Sequence, residues 1–139
     1  MAGDRAGPID ALRMPAAEDP RLTHVSALCL ALPEAVRRSM GRHAQFTIRK
    51  KTFAYFLDDH HSDGIVSVCT RPFPGENNRL IAEHPRKFYL PAYVGPRGWV
   101  GLRLDRGKVD WNEVRDLLIA SYLQAAPKKL AEKIEAGIR

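Results

Sequence analysis

Hydrophobic and polar residues alternate most regularly around residue 100. In the segment WVGLRLD, residues 99–105, the aliphatic residues fall on even positions, whereas Trp99 and Arg103 fall on odd ones. Successive side chains of a β-strand point to opposite faces of the sheet. We therefore expect the aliphatic residues to enter the core, and Trp99 and Arg103 to lie on the opposite face.

The same pattern predicts about five short strands, which would form an antiparallel sheet because their connections are short. These strands span residues 45–49, 52–57, 65–70, 86–91 and 97–105. Only the dipeptide KK separates the first two, which predicts a two-residue hairpin that pairs Ile48 with Phe53 and places Phe53, Tyr55 and Leu57 on the core face. Such turns favour Asn and Gly, which tolerate positive φ, so a longer loop is an alternative.

Helix signals precede and follow this strand-rich section. Asp19 has the position of an N-cap before a proline, and apolar residues recur at helical spacing from there to Pro33. Asp110 and Glu113 have the spacing of a capping box and mark the start of a second helix. Pro127 divides that helix from a final one.

The order of these elements indicates the fold class. A further short helix is predicted at residues 78–84, before a proline. Helices that flank a run of strands predict an α+β fold, with an antiparallel sheet of about five strands and the helices packed on one face. We expect residues 1–18 to form a flexible N-terminal arm, because they mix Gly, Pro, Ala and charge without period. Residues 19–139 would form a single domain.

Basic residues are concentrated in two segments of this 139-residue chain, whose formal net charge is +6. Residues 35–51 contain six basic residues and no acidic one, and residues 84–108 contain six basic residues and one acidic one. The rest of the chain is therefore net acidic. Concentrated positive charge is typical of a surface that binds polyanions, although ordinary solubility charge is an alternative explanation.

Parity along the strands predicts the composition of the sheet face that the helices leave open. Guanidinium and ammonium groups neutralise phosphates, and aromatic rings stack on unpaired bases, so this face is suited to nucleic acid. Arg97 lies between glycines and a proline and would stand at a loop tip. The alternative for Trp99 is that the segment AYVGP folds back over it. The predicted face carries Gln45, Thr47, Arg49, Thr52, Lys87, Tyr89, Trp99 and Arg103.

Acidic residues and histidines crowd together only in the segment DDHHSD, residues 58–63. A metal could bind through Asp58, His60, His61 and Asp63, but adjacent histidines in an extended turn point apart. We predict a solvated turn there and no metal site. The sequence contains none of the common phosphate-loop, nucleophile-elbow, zincin or dinucleotide motifs, and we predict a non-enzymatic protein. An enzyme that uses the two histidines is a remaining alternative.

Neither membrane insertion nor disulfide bonds are predicted. The longest apolar run is far shorter than the roughly 18 residues that span a bilayer, and no signal peptide pattern is visible, so we expect a soluble cytoplasmic protein. Cys29 and Cys69 lack metal or redox spacing. We expect both to be reduced and buried.

Four segments carry a resemblance to a known family: LCLALPEAV, FYLPAYVGPRGWVGLRLD, VDWNEVRDLLIASY and APKKLAEKI. Through them the chain resembles the MmcQ/YjbR-like family, often labelled DNA-binding, over roughly residues 22–135. The resemblance implies a frataxin-like α/β sandwich with a double-wing arrangement that contacts DNA. By position, the family's aromatic and basic loop motif falls on Tyr93, Arg97 and Trp99, with Lys87 just before it.

A frataxin-type iron role would need an acidic ridge on a helix. The first predicted helix offers little beyond Glu18 and Asp19. We therefore predict no iron and no other cofactor.

The sequence thus yields one main functional hypothesis and one alternative. The main hypothesis is a DNA-binding protein that contacts phosphates through the sheet face and its loop tips. The alternative is a small-molecule or protein-binding module whose pocket lies around Tyr93, Arg97 and Trp99, with Arg97 binding a carboxylate or phosphate. The residues predicted to contact nucleic acid are Arg49, Lys50, Lys51, Lys87, Arg97 and Arg103 for charge, with Tyr93 and Trp99 for stacking or groove contact.

Overall fold

The computed structural model describes residues 17–138. It contains four helices and six strands, so the predicted α+β class is confirmed. The predicted arm, residues 1–18, lies almost entirely outside the described residues. The helices are α1 (Pro20–Leu30), α2 (Glu76–Glu83), α3 (Trp111–Ala125) and α4 (Lys128–Ile138). The strands are β1 (Val36–Met40), β2 (His43–Ile48), β3 (Lys51–Asp58), β4 (Val66–Thr70), β5 (Phe88–Tyr89) and β6 (Val100–Arg103).

The six strands form one antiparallel sheet in the order β1-β2-β3-β4-β6-β5. The predicted count of five missed the edge strand β1. Its sequence VRRSM is almost entirely polar or exposed and shows no alternation. Arg37 of this strand points toward the helices, where it donates hydrogen bonds to Ser26 of α1 (2.9 Å) and to Glu18 (2.6 Å).

Helices α1 and α3 cover one face of the sheet and bury the core against it. The predicted caps are confirmed: the Asp19 carboxylate accepts from the backbone of Arg21, and the Asp110 carboxylate accepts from the backbone amides of Asn112 and Glu113. Aliphatic side chains of β6 enter this core, as parity predicts. Its largest fully buried side chains are Phe46, Ile48, Phe53, Phe56, Phe88, Leu118 and Tyr122.

The β2–β3 hairpin differs from its prediction by one residue. Arg49 and Lys50, rather than the KK dipeptide, occupy the two-residue turn, and Ile48 pairs with Lys51. Both turn residues have positive φ, at 49° and 69°. This is the backbone of a type I′ turn, which matches the twist of the strands but is strained for residues with a Cβ atom.

A β-bulge in β3 shifts the pairing register between β2 and β3 by one residue, a few residues after the turn. Phe46 pairs with Ala54 and the next residue, Thr47, pairs with Thr52, so Phe53 is an extra residue on β3. Phe53 and Ala54 are both buried on the helix side. A bulge changes the facing of all later residues of the strand. Tyr55 and Leu57, which parity placed in the core, therefore lie on the opposite face.

The hydroxyl of Ser121 fixes this bulge to α3. It donates to the carbonyl of Phe53 (2.6 Å) and accepts from the backbone amide of Arg71, just after β4 (3.0 Å). Ser121 is buried, and so is its hydrogen bond to the Phe53 carbonyl, which therefore depends on this hydroxyl rather than on water. One side chain thus joins a helix and two strands at the point where the strand pattern breaks.

We expect Lys50→Gly to raise the free energy of unfolding by about 1 kcal/mol, because glycine adopts positive φ without steric cost. Urea unfolding of both proteins measures the change. Lys50→Ala removes the same charge but keeps a Cβ atom, so it should give no such gain. Equal stabilisation by both substitutions would contradict a turn under backbone strain.

We expect Ser121→Ala to lower the free energy of unfolding by about 1–3 kcal/mol, because it leaves the Phe53 carbonyl and the Arg71 amide without a partner. Thr23→Ala is the matched control, since its hydroxyl lies on an exposed helix surface and bonds only Glu18 among the described residues. The control should change stability by less than about 0.5 kcal/mol. Thermal unfolding of the two variants decides between a structural bridge and an incidental contact.

Candidate functional site

The sheet face turned away from α1 and α3, here called the second face, carries most of the polar residues that parity placed there. Register pairs Gln45 with Tyr55 and Thr47 with Thr52, so these four side chains share this face. Tyr89 lies on it as well, where its hydroxyl bonds Ser67 (2.7 Å). Gly101 lies directly beneath the Tyr89 ring, since a Cβ atom there would lie 2.2 Å from the ring.

Trp99 belongs to the second face but does not form an outward aromatic surface. Only 7% of it is exposed, which corrects the expectation of an open ring and agrees with the alternative in which the preceding segment AYVGP covers it. Its ring lies 5.5 Å from that of Tyr55. The covering loop, residues 90–98, returns over this pair, and the Trp99 amide donates to the carbonyl of Val94 (3.4 Å). Trp99 therefore helps to hold the loop.

Three of the six predicted phosphate-binding cations form ion pairs. Arg49 binds Glu34 in a two-pronged contact, and Arg103 binds Asp105 in the same way. Lys87 pairs with Glu113 at the start of α3 (2.9 Å), so its side chain reaches the helix side rather than the second face. Carboxylates thus neutralise part of the charge that is concentrated along the sequence: Glu34 and Glu113 come from other segments, and Asp105 lies two residues after Arg103.

The other predicted cations, Lys50, Lys51 and Arg97, are exposed. Across residues 17–138, no carboxylate forms an ion pair with any of them. Lys50 lies in the strained turn, Lys51 begins β3, and Arg97 ends a 3₁₀ turn of the covering loop. Tyr93, on the same loop, is 78% exposed with a φ of 67°.

Two of these cations line one concave site, which we call the cationic recess. It has a volume of about 400 Å³ and lies where β3 and β6 begin and β4 ends. Arg71 is its third cation, and no residue of its wall is acidic. Its wall consists of Lys51, Thr52, Tyr55, Arg71, Val94, Arg97, Trp99, Gln124 and Ala125.

Sequence reasoning missed Arg71, because this residue directly follows the predicted strand 65–70 and was given no role. Helix α3 holds its backbone from both sides: its amide donates to Ser121, and its carbonyl accepts from the side chain of Gln124 (2.7 Å). The side chain remains exposed, and its Cγ atom lies close to Gly98. The only signal in the sequence is a basic residue directly after a buried strand.

A second concave site, the apolar pocket, lies next to the cationic recess on the same face. Its volume is about 350 Å³, and it extends beneath the covering loop toward the histidine-rich turn. Tyr55 and Val94 belong to the walls of both sites. The pocket is lined by Met40, His43, Tyr55, Leu57, His60, Cys69, Pro91, Ala92, Tyr93 and Val94.

The histidine-rich segment folds as the predicted turn, at the rim of the apolar pocket. The rings of His60 and His61 lie 3.9 Å apart, His43 lies 5.3 Å from His60, and Tyr93 contacts His61. Burial, together with the positive charge that His61 and His43 can carry, lowers the pKa of His60. The Nδ1 atom of His43 accepts from the amide of Asp58, so the neutral ring carries its proton on Nε2.

Other chemistry is limited in the part of the chain that the structure describes. No group of three or more His, Cys, Asp or Glu side chains there is arranged to hold a metal ion. Cys29 and Cys69 are free and buried, which confirms their prediction. Burial raises the pKa of the Cys69 thiol to about 11, so it is not a reactive thiolate at neutral pH.

Among the described helices, none has the length and apolar composition needed to cross a bilayer.

Comparison with solved structures and known families places this fold. The crystal structure of the Deinococcus radiodurans protein DR2400, with the domain DUF419, is similar over 78% of this chain and 81% of that one. The TM-score is 0.61 at 20% sequence identity, a similarity that shows the fold alone. No curated protein matches. Residues 30–124, more than half of the chain, match the YjbR family, and the chain therefore belongs to the YjbR family.

Proposed function

We propose that this protein binds nucleic acid through contacts between the cationic recess and backbone phosphates. One observation carries the proposal: Lys51, Arg71 and Arg97 come from three separate segments, yet they line one concave site that contains no acidic residue. Among the described residues, none of the three is ion-paired. Their charge is therefore available to an external anion.

Phosphate binding through such groups is driven by counterion release and does not depend on sequence. Two arginines and a lysine provide several donors, and the planar guanidinium of an arginine can bind two phosphate oxygens at once. Lys50 adds a fourth exposed cation next to Lys51. The ion-paired Arg49, Lys87 and Arg103 would contribute less, because a phosphate has to displace a carboxylate from each.

A second candidate function is the binding of a small anion, such as a carboxylate or a phosphate ester. The burial of Trp99 favours it, because a covered ring forms a wall of the recess rather than a platform for stacked bases. A small ligand would contact Arg97 and Lys51 without needing a surface that continues beyond the recess. The two functions therefore differ in how binding depends on ligand length.

We expect the double substitution Lys51→Glu with Arg97→Glu to weaken nucleic-acid binding by at least about tenfold. It should also make the binding constant depend less steeply on salt concentration, by an amount that corresponds to about two lost phosphate contacts. Fluorescence anisotropy of labelled oligonucleotides at two salt concentrations measures both quantities. The matched control is Arg115→Glu with Lys133→Glu, which makes the same charge change around a cavity between α1, α3 and α4. It should alter binding much less.

Three ligands separate recognition from charge alone: single-stranded DNA, double-stranded DNA and heparin as an unrelated polyanion. Equal losses from both double variants would contradict a role for the recess. Affinity that does not grow from a mononucleotide to a twelve-residue strand would favour the small-anion function.

A further inference from the structure

We infer that the apolar pocket binds the aromatic base of a nucleotide whose phosphate lies in the cationic recess. The phosphate half of this inference rests on the function proposed above, and the base half rests on the second cavity. The ligand class is a nucleotide with an unpaired base, either free or within a single strand.

Shared walls are the first argument. Tyr55 and Val94 line both cavities, so the recess and the pocket are neighbours on one face and beneath one loop. One cavity is lined by three cations, and the other contains no lysine, arginine or acidic residue. A ligand that fills both must combine an anionic group with an apolar body at short range, as a nucleotide does.

The chemistry of the pocket wall is the second argument. Four of its ten residues are aromatic: Tyr55, Tyr93, His43 and His60. Aromatic rings interact with a base through stacked and edge-to-face contacts. His43 also has a donor for the polar edge of a base, since its Nδ1 is engaged by Asp58. A volume of about 350 Å³ lies at the lower end of the range for small-molecule sites, which is about 300–1,000 Å³.

The covering loop supplies the third argument. Tyr93 is held at positive φ with its ring 5.7 Å from that of His61, at the rim of the pocket. Backbone strain of this kind is often found at ligand clamps. An intact base pair cannot place one base in a cavity beneath a loop, so duplex DNA would have to unpair first, at a cost of a few kcal/mol.

Substitution of Met40 tests the pocket without touching a cation. Met40 is partly exposed on the edge strand β1 and lines the pocket, so Met40→Trp should fill part of it. Val36→Trp is the matched control, because Val36 lies on the same strand and face but outside the pocket wall. Thermal unfolding establishes that both variants fold.

The experiment compares a twelve-residue single strand, an abasic strand of the same length and the corresponding duplex, each at two salt concentrations. We expect the base-containing strand to bind about tenfold more tightly than the abasic strand. Met40→Trp should abolish that ratio and leave the salt slope unchanged, whereas Val36→Trp should preserve both.

The outcomes separate the two proposals. Salt-dependent binding with equal affinity for the abasic and normal strands overturns the base pocket and leaves phosphate binding intact. If no strand binds, nucleic-acid binding is wrong, and titration with thymidine 5′-monophosphate decides the pocket by itself. If the unsubstituted protein binds this mononucleotide and Met40→Trp abolishes the binding, the ligand of the pocket is a free nucleotide. If the unsubstituted protein does not bind it, the inference is overturned.

Discussion

The hydrogen bonds of one buried hydroxyl hold together the part of the molecule on which the second face depends. Ser121 of α3 donates to the carbonyl of Phe53 at the bulge and accepts from the amide of Arg71. A bulge leaves backbone groups outside the regular ladder, and such groups need another partner when they are buried. The helix that covers the core thus stabilises the irregularity that turns Tyr55 toward the other face.

The bulge has a direct effect on both cavities. Without the extra residue, Tyr55 and Leu57 would keep the parity of Phe53 and point at the helices. With it, Tyr55 joins the walls of both the cationic recess and the apolar pocket, and Leu57 lines the pocket. The same hydroxyl fixes the backbone of Arg71, so the shape of the second face and the position of one of its cations have a common origin.

The sequence predicted the features that depend on local chemistry. Caps at Asp19 and Asp110, the fold class and the aliphatic side of β6 follow from spacing and residue type, and the structure confirms them. Strand β1 escaped prediction because it is stabilised by pairing with β2 and by Arg37, not by an apolar face of its own. The bulge was not predicted, because a strict alternation of faces along a strand does not allow for an extra residue.

The candidate site was predicted less well than the fold, for an electrostatic reason. A count of charges along the sequence does not account for carboxylates that folding brings from other segments, such as Glu34 beside Arg49 and Glu113 beside Lys87. Arg71 was missed because its significance arises only from the neighbours that the fold gives it. Clustered charge in a sequence therefore indicates a class of partner, whereas the unpaired subset in space indicates where that partner can bind.

The covering loop gives the burial of Trp99 a meaning beyond packing. Hydrogen bonds between nearby residues make the loop compact: the Gly95 amide donates to the Pro91 carbonyl, and the Gly98 amide donates to the Gly95 carbonyl. Trp99 lies beneath the loop, against Tyr55. Arg97 and Tyr93 are therefore held on one ordered segment, over the recess and the pocket respectively. An ordered loop loses little conformational entropy when a ligand binds. A covered tryptophan can thus support binding by fixing the spacing between a cation and an aromatic ring, in addition to forming part of the recess wall.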